Sequence, residues 1–279
     1  MKIAYISAPI IKYTKDFLPK HTSPIKKYVP KNDAYLRLSP APIPYELRVS
    51  FSKLQKTNGK RFVKKAYKEL VKFFGLEEIA PKKIKFKKLG YTQRATCDKL
   101  TGQIAISNKV AQLDTKDKQL GTIAHELKHF EQFSRVIRTE NVGVEGYTDA
   151  LADNGLLKRK YNFFDMRFWD GLVKARKEGT ADEYMASVKQ AIYAELLPIV
   201  KRGFSRVISQ PQIPDNVHNR QAAEKYLRAI RNYLSTDDMG GTWEKYRNNL
   251  LEVEAYRAGH RMQNYYKTFE KSLTEVNKN

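Results

Sequence analysis

Residues 120–133 read LGTIAHELKHFEQF and contain His125, Glu126 and His129 in the order His-Glu-x-x-His. Ile123, Leu127 and Phe130 recur at helical spacing, so the stretch is predicted to be one helix with an apolar stripe. Asp114 or Thr115 offers an N-cap, and Asp117 falls in the first turn, where negative charge suits the helix dipole. Residues four apart lie one turn above each other, so His125 and His129 can aim two imidazoles at a single ion. Glu126 projects beside that ion, where its carboxylate can take a proton from a metal-activated water. This residue set at this spacing suits hydrolysis by a metal-activated water.

Outward from the motif, the chain reads as mostly helical with a small sheet. Between Lys60 and Phe74 the residues Phe62, Val63, Ala66, Tyr67, Leu70, Val71 and Phe74 follow a helical period, with Gly75 as C-cap. After Pro81, Ile84 and Phe86 alternate with Lys85 and Lys87 as a first strand. A second strand from Tyr91 turns near Lys99 to Gly102 into a third, Gln103 to Ser107, with Ile104 and Ile106 facing the core. That third strand is expected to leave an edge beside the motif helix on which an extended peptide could pair. Helical periodicity then covers Val142–Lys160, Phe163–Lys177, Ala181–Ile208, Arg220–Leu234 and Thr242–Leu273, with breaks at Pro211 and Pro214 and at Asp237–Gly241. The fold class is therefore α+β, with the sheet beside the motif helix.

The rest of the chain sets bounds. Residues 1–50, rich in proline, lysine and tyrosine and including SPAPIPYELR from Ser39 to Arg48, read as an extended or partly disordered arm. Residues 51–279 are expected to form one domain. No apolar run approaches the roughly 20 residues that cross a bilayer, and MKIAYISAPII is a poor signal peptide, so a cytoplasmic location is expected. Cys97 is the only cysteine, which excludes an internal disulfide and a cysteine-rich zinc knuckle. The net charge is +22, densest from Lys53 to Lys88. Such a field can attract nucleic acid, an anionic membrane or an acidic protein. Lysine dominates over arginine there and no nucleic-acid recognition motif occurs, so a solvated basic face is the default and nucleic acid a minor alternative.

A catalytic zinc needs a third protein ligand, with water in the fourth position. None of His21, His218 and His260 stands a few residues beyond His129, so a carboxylate is expected. Glu145 in VEGYTDALAD, with Asp149 one turn later, and Glu252 in LLEVEAYRAG are the two candidates. On HELKH at 125–129 and the Glu-x-Glu-Ala stretch at 252–255, the chain resembles the zincin superfamily, and within it the gluzincin type, where a second helix supplies a glutamate to zinc.

The resemblance implies a zincin-like domain with His125, His129 and Glu252 as zinc ligands and Glu254 at the variable position between. Glu145 competes because Glu-x-x-x-Asp is also a gluzincin pattern, and Tyr256 stands where Glu252 would have that aspartate. The choice of Glu252 makes the stretch from about 145 to 240 a long helical insertion. Lys128 departs from the family pattern, which avoids charge inside the motif, and is expected to point outward. The implied activity is peptide-bond hydrolysis of a peptide or protein substrate with Glu126 as general base. Tyr256 and His260 stand near the ligand without an assigned role, and His260 reads as an ordinary partly buried histidine. A basic interaction protein, or an inactive module of the same fold, is the alternative.

Overall fold

The structure is a computed structural model that describes residues 42–90 and 93–276. In chain order the elements are α1 (Tyr45–Leu54), α2 (Gly59–Phe73), β1 (Lys85–Lys87), β2 (Ala95–Cys97) and β3 (Ile104–Ser107). They continue as α3 (Asn108–Leu113), α4 (Lys116–Arg138), α5 (Gly143–Tyr161), α6 (Met166–Lys177), α7 (Ala181–Gly203), α8 (Ser205–Ile208), α9 (Val217–Arg231), α10 (Trp243–Arg247) and α11 (Leu250–Val276). The α+β class holds: helices predominate around one small mixed sheet of order β1-β3-β2. No helix among the described residues is long and apolar enough to cross a membrane.

Most of the expected N-terminal arm, residues 1–41, lies outside the described residues. Its final part departs from expectation, because from Tyr45 the chain is helical instead of extended. Leu47, Phe51 and Leu54 recur one turn apart and are buried, and the Phe51 ring meets Tyr266 edge-on at 5.0 Å and Phe269 at 5.5 Å. This apolar spacing was present in the sequence but was masked by the three prolines before it. Helix α2 matches its prediction to within a residue at each end. Its end is a Schellman motif in which Leu76 N–H donates to Val71 O and Gly75 N–H to Lys72 O, with Gly75 at φ 65°.

The sheet corrects one expectation. β3 pairs in parallel with β1 and antiparallel with β2, so it sits in the centre and offers no free edge. The outer strand on the side of the motif helix is β2. Ile104 and Ile106 are fully buried, as their alternation implied. Between β2 and β3, Gly102 at φ 65° closes the turn under Phe130 and Phe204, where a Cβ would come within 2.9 Å of both rings.

Helix α4 begins at the N-cap Thr115 and carries Leu120, Ile123, Ala124, Leu127 and Phe130 into the core. It crosses α11 at two glycines. A Cβ on Gly121 would lie 3.0 Å from Gly259 O, and one on Gly259 would lie 2.8 Å from Gly121 O, so the backbones touch where side chains would hold them apart. Asp117 tightens the same pair, accepting from Gln263 Nε2 at 2.9 Å with Lys267 Nζ at 3.6 Å. The helix predicted over Thr242–Leu273 is broken in two. Asn249 accepts from Leu251 N–H and donates to Ala229 O, so it starts α11 afresh and fixes it to the end of α9. The helices α5 to α9, read above as an insertion, also build the core, through Tyr147, Phe204 and Ile230.

The crossing predicts a reversal of the usual glycine rule. Gly→Ala inside a helix ordinarily gains up to about 1 kcal/mol. Gly259→Ala is expected to lose about 1–3 kcal/mol through overpacking, read as a lower urea midpoint with unchanged slope. A raised midpoint would show that the helices are free to separate.

Candidate metal centre

The crossing of α4 and α11 brings three of the predicted residues together. His125, His129 and Glu252 place their ligand atoms within 4.8 Å of one another. His125 Nε2 lies 3.1 Å from His129 Nε2, His129 Nε2 3.4 Å from Glu252 Oε1, and His125 Nε2 3.5 Å from Glu252 Oε2. Ligands about 2.0–2.1 Å from a tetrahedral zinc stand roughly 3.3 Å apart, so the two imidazole nitrogens, each facing its own oxygen of Glu252, are spaced on the scale of a metal-binding cluster. Glu252 is 1 % exposed, and its Oε2 is a buried oxygen with no hydrogen-bond partner among the described residues. An orphaned buried carboxylate oxygen between two imidazoles fits a cation. Burial alone would raise the Glu252 pKa, but the two imidazoles hold its carboxyl well below the usual carboxylate range. Burial likewise works against the His129 imidazolium, and Glu252 outweighs it and lifts that pKa.

Glu145, the competing ligand, is remote from this cluster in its interactions. It is exposed and paired with Lys201 at 3.0 Å, while Asp149 pairs with Lys189. Glu126 is buried beside the triad, and the Cys97 backbone of β2 favours its carboxylate form. Burial, opposed by His125 and His129 and assisted by Glu252, pushes the Glu126 pKa above its ordinary value. Lys128 turns away from the metal cluster, as expected, but is not simply solvated: it pairs with Glu131 and with Glu254 at 3.4 Å.

Several residues unassigned by the sequence hold the cluster in place. His129 Nδ1–H donates to Gln132 Oε1 at 3.2 Å, which leaves Nε2 as the lone-pair nitrogen facing the other two ligands. Gln132 is fully buried, and its Nε2 donates to Leu251 O and Glu254 Oε2 on α11, which fixes its amide orientation. Glu254, read as a variable position, also accepts from Tyr226 Oη at 2.7 Å. Tyr233 Oη donates to Glu252 Oε1 at 2.8 Å. Tyr233 is set in turn by Asn154, whose Nδ2 donates to Tyr233 O while its Oδ1 accepts from Lys99 Nζ. Burial, with Lys158 nearby, holds the Lys99 ammonium down to about 8.

The triad opens into a cleft of about 1140 Å³ between the sheet, α4 and α11. Tyr256 lines it with its ring edge-on to His125 at 4.8 Å. His260 is exposed at the rim, stacked near Tyr256, instead of partly buried as its neighbours in sequence suggested. Comparisons of the chain with family models, curated proteins and solved structures give no match. The class that fold and site define is an α+β chain with a His-His-Glu cluster able to hold a metal ion.

Gln132→Leu removes the hydrogen bond that orients His129 and is expected to weaken zinc binding about 10–100-fold, measured by competition with a chromophoric chelator. Glu145→Gln should leave the same affinity unchanged. Equal affinities in all three proteins would mean that Gln132 does not orient a ligand.

Proposed function

We propose that the chain is a zinc-dependent peptidase of the zincin type, with zinc held by His125, His129 and Glu252. The observation that carries this reading is the convergence of these three side chains around a buried, unpartnered carboxylate oxygen. Zinc supplies the Lewis acidity that brings a water pKa from 15.7 towards about 7 and polarises a carbonyl.

The remaining chemistry belongs to residues of the chain. Glu126 takes the water proton on its carboxylate and delivers it to the leaving amine, a transfer favoured by burial, which raises its pKa above the ordinary carboxylate value. The Cys97 backbone of β2 stands beside that carboxylate. Tyr256, packed on His125 in the cleft wall, is the donor for the oxygen that becomes negative as the carbonyl is attacked. The outer edge of β2 accepts an extended segment of peptide or protein substrate by strand addition, which lays a scissile bond over the triad.

Two measurements test the reading. Metal analysis of protein purified without an affinity metal should find close to one zinc per chain, lost in His125→Ala and Glu252→Ala and kept in Glu145→Ala. In the second, Glu126→Gln should keep its zinc and lose about 10²–10⁴-fold in cleavage of a peptide pool. A parent that takes up no zinc on reconstitution overturns the proposal.

A further inference from the structure

The basic stretch has no part in holding a metal, yet the fold delivers its end to the same cleft. Lys85 of β1 stands in register with Ala105 of β3, and Ala105 with Thr96 of β2. Side chains at alternate strand positions share a face, so Lys85 and Lys87 project from the face that carries Ala105 and Thr96. All four line the cleft that holds His125 and Glu126.

On the opposite face of β1, Lys60 and Lys64 of α2 lie over the Phe86 ring at 5.4 and 5.9 Å. Four ammonium groups thus surround one three-residue strand, and none of them makes an ion pair among the described residues. Two other cations of the cleft differ, since Arg94 is paired with Asp114 and Lys158 with Asp238, while Lys99 is bound to the Asn154 amide and Lys118 on α4 adds a further cation. Residues 1–41 carry eight lysines and arginines against two aspartates, so they bring little negative charge of their own.

We propose that the β1 side of the cleft selects acidic peptides, with Asp or Glu side chains over Lys85 and Lys87 while a nearby peptide bond lies at the triad. The word substrate rests on the peptidase reading; the binding preference does not. A concave wall of one sign beside low-dielectric protein focuses its field on whatever enters. β1 lies two strand spacings, about 10 Å, from β2 across the sheet. The acidic side chains therefore belong to a part of the peptide that crosses the sheet face, beyond any segment paired on the β2 edge.

A peptide suits the cleft better than a nucleic acid. The rest of the cleft lining includes Asp98, Asp237, Glu126 and Glu252, and a strand with a phosphate on every nucleotide would be driven over those carboxylates. A peptide can confine its charges to one end. The only ring on β1, Phe86, lies under α2 lysines and away from the cleft, so that side offers no stacking platform for bases.

The test uses the full chain treated with chelator and two fluorescein-labelled twelve-residue peptides, one rich in Glu and one with Gln at the same places. Anisotropy should show the Glu peptide bound about tenfold more tightly. Lys85→Glu with Lys87→Glu should abolish that preference with an unchanged thermal melt, and the milder Lys85→Gln with Lys87→Gln should reduce it. Equal binding of both peptides, or a Glu preference indifferent to these substitutions, overturns the proposal. Tighter binding of a single-stranded DNA 20-mer through the same lysines overturns it in favour of nucleic acid. The same peptides are then given to zinc-reconstituted protein. Cleavage of neither refutes the peptidase reading alone, because the binding comparison already decides the charge preference.

Discussion

Two helix backbones in contact at Gly121 and Gly259 are the constraint on which the rest of this structure depends. One turn beyond Gly121 along α4 stands His125, and two turns before Gly259 along α11 stands Glu252. Side chains at the crossing would push the helices apart, and with them the nitrogen and oxygen atoms of His125, His129 and Glu252, which stand 3.1–3.5 Å from each other. The Asp117–Gln263 hydrogen bond at one end and the Gln132–Leu251 hydrogen bond at the other hold the same two helices in register. The contact between α4 and α11 is therefore both a packing solution and the frame of the site.

Burying three carboxylates and two imidazoles together is costly unless every polar atom is answered. Glu254 takes hydrogen bonds from Gln132 and Tyr226 with Lys128 nearby, and Glu252 Oε1 takes one from Tyr233. Glu252 Oε2 has no hydrogen-bond partner among the described residues and faces His125 Nε2 at 3.5 Å. The network also explains why a lysine is tolerated inside the His-Glu-x-x-His motif. Lys128 lies on the flank of α4 that faces Glu254, where its charge balances a half-buried carboxylate instead of opposing a cation at the triad.

The sheet is small because it serves mainly as a wall. Its outer strand β2 stands beside Glu126, its turn is wedged under Phe130 and Phe204 by Gly102, and its first strand brings lysines to the cleft.

By itself the sequence determined the elements whose residues repeat with a period: α2, the stripe of α4, the alternation in β1 and β3, and the motif with its two histidines on one helical face. It also narrowed the third ligand to two glutamates. Only the tertiary structure shows that Glu252, and not Glu145, stands beside the two histidines, because both are helical acids in similar local contexts and what separates them is which helix crosses α4. The same holds for Gln132, Tyr233 and Asn154, ordinary polar residues whose importance arises from contacts 19 to 122 residues away in the chain. The break at Asn249 was partly legible, since Asn-Asn before an apolar run is an N-cap signal, but uninterrupted periodicity on either side concealed it. Local pattern records what a residue buries. The identity of its partner across the core is set by helix crossings and strand order, which no short window of sequence contains.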